Sequence, residues 1–147
     1  MSKSFEFRLE KLLELRRLEE EAAQREFAAA QQAVVEHNQA ILGLLTREEE
    51  GRQDLRTLQE RAIDVVRLRM TGEYLEAIGR LLARERVVLQ DLAKAERDKR
   101  RRLTEALKGV RVLERFRERQ FRRYRQESDL EERKFLDEIG QNLAKGA

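Results

Sequence analysis

Apolar residues recur along this chain at alternating steps of four and three. Ala23, Phe27, Ala30, Val34, Ile41 and Leu44 follow that step, with His37 filling one of its places. It continues through Leu55, Leu58, Ala62 and Val65. A second run holds Leu75, Ile78, Leu82, Leu89 and Leu92, then Leu103, Ala106, Val110 and Leu113. A period of 3.5 keeps one narrow stripe against a neighbouring helix, so the pattern predicts helices wound around a partner helix. No proline interrupts either run.

The break between the runs sets the topology. Arg69-Met70-Thr71-Gly72-Glu73 divides the chain evenly, with Thr71 placed to cap the second helix. The expected fold class is all-α, a long two-helix antiparallel coiled-coil hairpin forming one domain over residues 1–147. Its helices are expected at about 5–68 and 73–143, with the turn at about 69–72. Ser4 is the expected cap of the first helix, with Glu6 in its first turn. Setting Val65 against Leu75 makes facing positions sum to about 140. Ala62 then faces Ile78, Leu58 faces Leu82, Val34 faces Ala106 and Phe27 faces Leu113.

The pattern also has defects. Glu48 and Gly51 fall on the first stripe, and Glu85, Glu96 and Lys99 on the second. Beyond Leu113 the stripe is expected to degrade to Arg117, Gln120, Tyr124 and Glu127. It then restarts out of phase at Leu136, Ile139 and Leu143. The hairpin's open end is therefore expected to be weakly zipped.

Composition narrows the class. Charged residues make up 41% and aromatics 5%, which suits a coiled coil better than a compact globule. No apolar run is long enough to span a bilayer. The opening MSKSFEFRLEK has no hydrophobic signal core, and there is no cysteine. The expected location is cytoplasmic. The net charge of +3 hides segregation: residues 97–125 hold 13 Lys/Arg against four Asp/Glu. Such a block points to an acidic partner or to nucleic acid.

Chemistry for catalysis is sparse. His37 is the one histidine, and its expected neighbours Val34, Ile41 and Leu103 offer no convergent group. Gly43, Gly51, Gly79 and Gly109 match no nucleotide fingerprint and read as tolerated helix glycines. No catalytic residue, cofactor, metal site or small-molecule substrate is expected.

Two surface features stand out. Ile63, Val66, Leu68, Met70, Tyr74, Leu81 and Val88 lie off the seam or beyond it near the turn, and Tyr74, Leu81 and Val88 are spaced by heptads. They form either a widened seam or a groove for a partner. Residues 111–125 interleave Phe116, Phe121 and Tyr124 with seven arginines. That stretch suits single-stranded nucleic acid and equally a protein interface, with a solvated charged face as the plain alternative; single-strand readers usually sit on sheets or OB folds, which the pattern here does not offer.

The chain's two ends carry a resemblance. Phe5-Glu6-Phe7-Arg8-Leu9, then Leu12-Leu13-Glu14-Leu15-Arg16 and Glu19-Glu20, resemble the opening of the flagellar export protein FliJ family. Glu131-Glu132-Arg133-Lys134 with Leu136-Asp137-Glu138 resembles that family's acidic ending. The resemblance implies a non-enzymatic stalk of the flagellar type III export apparatus, with injectisome stalks as near relatives. It implies insertion into the ring of the export ATPase FliI, promotion of that ring's assembly and activity, and contact with the export gate protein FlhA. It leaves binding of export chaperones open, and places the protein peripherally at the inner face of the membrane. Phe5, Leu9, Leu12, Arg115, Arg119, Arg122 and Arg123 are the expected ring-binding residues. Met70, Tyr74, Leu81 and Val88 are the expected gate-binding residues. A monomeric hairpin is expected. The alternatives are a basic coiled coil that binds nucleic acid, and a plain spacer.

Overall fold

A computed structural model describes residues 4–61 and 64–146 of the chain. The fold is an all-α helical hairpin of two long helices. Helix α1 runs Glu10–Glu60, 51 residues, and α2 runs Val65–Lys145, 81 residues. The chain divides into two compact units. One holds the chain up to Ala22 together with everything from Leu103 on, and the other is Ala23–Arg102.

In the Ala23–Arg102 unit the seam follows the stripe read from the sequence. The α1 positions 23, 27, 30, 34, 37, 41, 44, 48, 51, 55 and 58 are all buried or half-buried. So are 75, 78, 82, 85, 89, 92, 96 and 99 of α2. Ile41, Ile78 and Leu82 form the buried core, flanked by Leu44, Leu45 and Leu89. Burying each such side chain stabilises by about 1.5–3 kcal/mol.

The break lies earlier than the sequence predicts. Residues 69–72 are helical, and the helices are separated between Glu60 and Val65. The cap is Asp64, not Thr71: its Oδ1 accepts from the backbone N–H groups of Val66 at 3.1 Å and Arg67 at 3.2 Å. Those donors have no partner inside the helix, so a carboxylate there both bonds them and meets the positive end of the dipole. Val65, predicted on the seam, is 69% exposed. Ala62 and Ile63 lie outside the described residues.

Moving the turn moves the register. Gly51 faces Leu75, His37 faces Glu85 and Glu26 faces Lys99, pairs that sum to about 125 rather than 140. The difference is about two heptads, so each stripe residue keeps its inward face and changes only its neighbour. Gly51 is not merely tolerated. It is buried, and a Cβ built there would lie 2.8 Å from Leu75 Cδ2. The seam carboxylates reach the next turn outward, Glu48 to Arg52 at 3.0 Å and Glu96 to Arg100 at 3.4 Å.

In the unit that holds both ends of the chain, α1 starts at Glu10 and not at residue 5. Ser4 and Glu6 are therefore not its cap and first turn. Residues 4–7 have no regular structure, and Glu10 N–H donates to the Phe7 carbonyl at 3.1 Å. Phe7, Leu13 and Val110 make the core here, with Phe5, Leu9, Leu113 and Phe116 packed around them. Arg117 pairs with Glu10 at 2.9 Å and Arg17 with Glu114 at 3.5 Å.

Candidate interaction surfaces

An aromatic clamp holds the N-terminal segment onto α2. The Phe5 ring lies 5.2 Å from Phe121 and 5.6 Å from Tyr124, centroid to centroid. Phe7 meets Phe116 at 5.8 Å. The Arg117 guanidinium lies 5.7 Å from the Phe5 centroid. Aromatic pairs at these separations add about 0.5–1.5 kcal/mol each beyond their area burial. Phe5, Phe7 and Leu9 all pack inward, Phe5 and Phe7 from the irregular segment and Leu9 from the turn that the Glu10 N–H to Phe7 carbonyl bond closes.

Past Leu113 the seam does degrade, with a changed membership. Phe116, Gln120, Tyr124 and Ser128 are the half-buried positions, while Arg117 and Glu127 are exposed. Residues 131–146 are exposed throughout, among them Leu136, Ile139 and Leu143.

The residues expected at an ATPase ring are only partly free. Phe5 is engaged in the clamp, and Leu9 packs on the Phe7–Leu13–Val110 core. Leu12 is 37% exposed. Arg119 lies over the Phe116 ring at 6.0 Å, and Arg122 pairs with Glu118 at 2.7 Å. Arg115 and Arg123 are exposed, with no carboxylate partner among the described residues. Arginine clusters of this kind hold carboxylates or phosphates bidentately.

The residues expected at an export gate all lie in the Ala23–Arg102 unit. Met70 is 64% exposed, Tyr74 48%, Leu81 39% and Val88 42%. Tyr74, Leu81 and Val88 each sit one position before a seam residue, so they form a shoulder beside the core. Met70 and Tyr74 share a shallow concavity with Arg47, Glu50, Asp54 and Thr71. Val66 adds a further apolar group, 68% exposed, and Leu68 is half-buried. Water-facing apolar side chains grouped in this way are a protein-contact signature.

His37 has a partner that the expected register hides. Its Nε2 lies 2.8 Å from Glu85 Oε2 and 2.8 Å from the Glu85 carbonyl oxygen. With Leu103 opposite, as predicted, no such group would be near. The pair lies half-buried on the seam and fastens α1 to α2. Among the described residues no group of His, Cys, Asp or Glu side chains is arranged to hold a metal ion. No described helix is long and apolar enough to cross a membrane.

Comparison with protein families gives a match over residues 5–147 to the flagellar FliJ protein. Comparisons with curated proteins and with solved structures give no match.

Proposed function

This chain belongs to the flagellar FliJ family, and we propose that it is a non-enzymatic stalk that joins an export ATPase ring to the export gate. The observation that carries the reading is where the exposed apolar groups fall. An intramolecular seam needs one stripe, yet Met70, Tyr74, Leu81 and Val88 form a second one open to solvent. In this reading that shoulder docks the gate protein FlhA. The clamp end, with Phe5, Leu9 and Leu12 beside Arg115, Arg119, Arg122 and Arg123, enters the ring of FliI. The working form is a monomer, held at the membrane's inner face through the export apparatus.

The mechanism is differential affinity. An asymmetric helical element inside a ring contacts each subunit differently, and so biases the conformations that those subunits adopt. Single exposed ion pairs contribute at most about 1 kcal/mol, so the arginines act as a set.

Two variants test the two contacts separately. Changing Leu81 and Val88 together to Asp abolishes capture by the gate protein while helicity by circular dichroism stays near wild type. Loss of helicity instead would show that these residues are core. Changing Arg115, Arg119, Arg122 and Arg123 together to Glu removes stimulation of the ATPase. Undiminished stimulation at low and physiological salt would reject arginine docking in the ring. Loss of duplex DNA binding alone would favour a nucleic-acid role.

A further inference from the structure

We propose that the outer face of α2 between Lys108 and Arg125 binds the anionic headgroups of a membrane surface directly. Lys108, Arg111, Arg115, Arg119, Arg122 and Arg125 recur there at steps of three and four, all exposed. They lie along about 26 Å of one helix face, at ~1.5 Å rise per residue. The acids on that face are Glu105 and Glu118, which pair locally with Lys108 at 3.7 Å and Arg122 at 2.7 Å. Arg111 and Arg115 have no carboxylate partner among the described residues. The face therefore carries a net positive charge that the chain itself does not neutralise.

Several features select an anionic membrane as the occupant. The row is almost all arginine, whose planar fork bonds phosphate oxygens bidentately. Val112 stands among Lys108, Arg111, Arg115 and Arg119, and is 65% exposed. A lone apolar side chain ringed by cations suits the boundary between headgroups and acyl chains. Single-stranded nucleic acid needs aromatic rings on the same face. Here Phe116 packs on Phe7, and Phe121 and Tyr124 on Phe5. Arg119 and Arg125 lie over the Phe116 and Phe121 rings, each 6.0 Å from the centroid, and occupy the ring faces on which a base would stack. A duplex curves away from a straight row, whereas a planar bilayer meets every side chain of it.

This inference goes beyond the stalk reading. The face shares Arg115, Arg119 and Arg122 with the proposed ring contact, so one molecule makes one contact or the other at a time, while Lys108 and Arg111 belong to the membrane face alone and test it separately. The test is co-sedimentation of the full chain with vesicles of phosphatidylcholine alone, or with about one third phosphatidylglycerol. Wild type binds the anionic vesicles, not the neutral ones, and binding weakens as salt rises. Each basic residue near an anionic surface is worth about a fivefold change in binding. The double variant Lys108→Ala, Arg111→Ala therefore binds about 25-fold more weakly, with unchanged helicity and unchanged ATPase stimulation. Equal binding to both vesicle types, or a variant that binds as wild type does, overturns the proposal. So does tighter binding of wild type to a short DNA duplex than to anionic vesicles.

Discussion

Leu13 is the most completely buried side chain described, at 0% exposure, enclosed with Phe7 and Val110. Changing it to Ala removes three carbons from that cluster. Such changes cost about 2–5 kcal/mol, depending on how far the site collapses. Residues 4–7 have no regular structure, so Phe7 can move into the lost volume, and the cost falls in the lower half, about 3 kcal/mol. The Ile41–Ile78–Leu82 core belongs to the other unit, so the loss stays local. Hydrogen exchange followed by mass spectrometry reads each unit separately. Peptides covering residues 8–22 and 106–124 exchange on the order of 100-fold faster in Leu13→Ala, since 1.4 kcal/mol is tenfold. Peptides covering 34–50 and 75–92 keep their wild-type rates. Leu18→Ala, at a site 62% exposed, is the control and changes stability by less than about 0.5 kcal/mol. Wild-type exchange near Leu13, or equal acceleration in both units, would refute two separately packed cores.

Three further outcomes rest on the geometry. Gly51→Val drives a branched side chain into Leu75 and lowers stability by about 1–3 kcal/mol in a urea titration, whereas Gly51→Ala moves only a flexible leucine tip and stays within about 1 kcal/mol of wild type. The chain has no cysteine, so His37→Cys with Glu85→Cys forms an internal disulfide on mild oxidation, while His37→Cys with Leu103→Cys does not; the reverse would restore the register that the sequence predicts. Asp64→Ala removes the acceptor for Val66 and Arg67, and weakens the start of α2 by about 1 kcal/mol, read as faster exchange of those two amides.

Much of the fold is legible in the sequence because burial on a seam depends only on heptad phase. Every described stripe position from Ala23 to Leu58 and from Leu75 to Leu113 is buried or half-buried. Register is not legible in the same way, since a heptad run matches another at every shift of seven. The place where the chain turns and the polar groups that meet select among the shifts. Asp64 caps at least as well as Thr71 on propensity, and the expectation of a break that divides the chain evenly selects the wrong one. The polar matches His37–Glu85 and Glu26–Lys99 are visible once the offset is known. At the N-terminus the alternation of Phe5, Phe7 and Leu9 does not fit a helical period, which a search for heptads overlooks, and these residues precede the helix that starts at Glu10. The exposed shoulder at Tyr74, Leu81 and Val88 is legible as surplus apolar residues. The occupant is not, because complementarity resides in the other molecule.

The central claim is that one chain joins the ATPase to the gate, and a bridging capture tests it most directly. The cytoplasmic part of the gate protein is immobilised, and the ATPase is passed over it with and without this chain. The account predicts that ATPase is retained only when the chain is present, and that Leu81→Asp with Val88→Asp abolishes the retention. Retention without the chain, or binding of each partner singly but never both together, would contradict it.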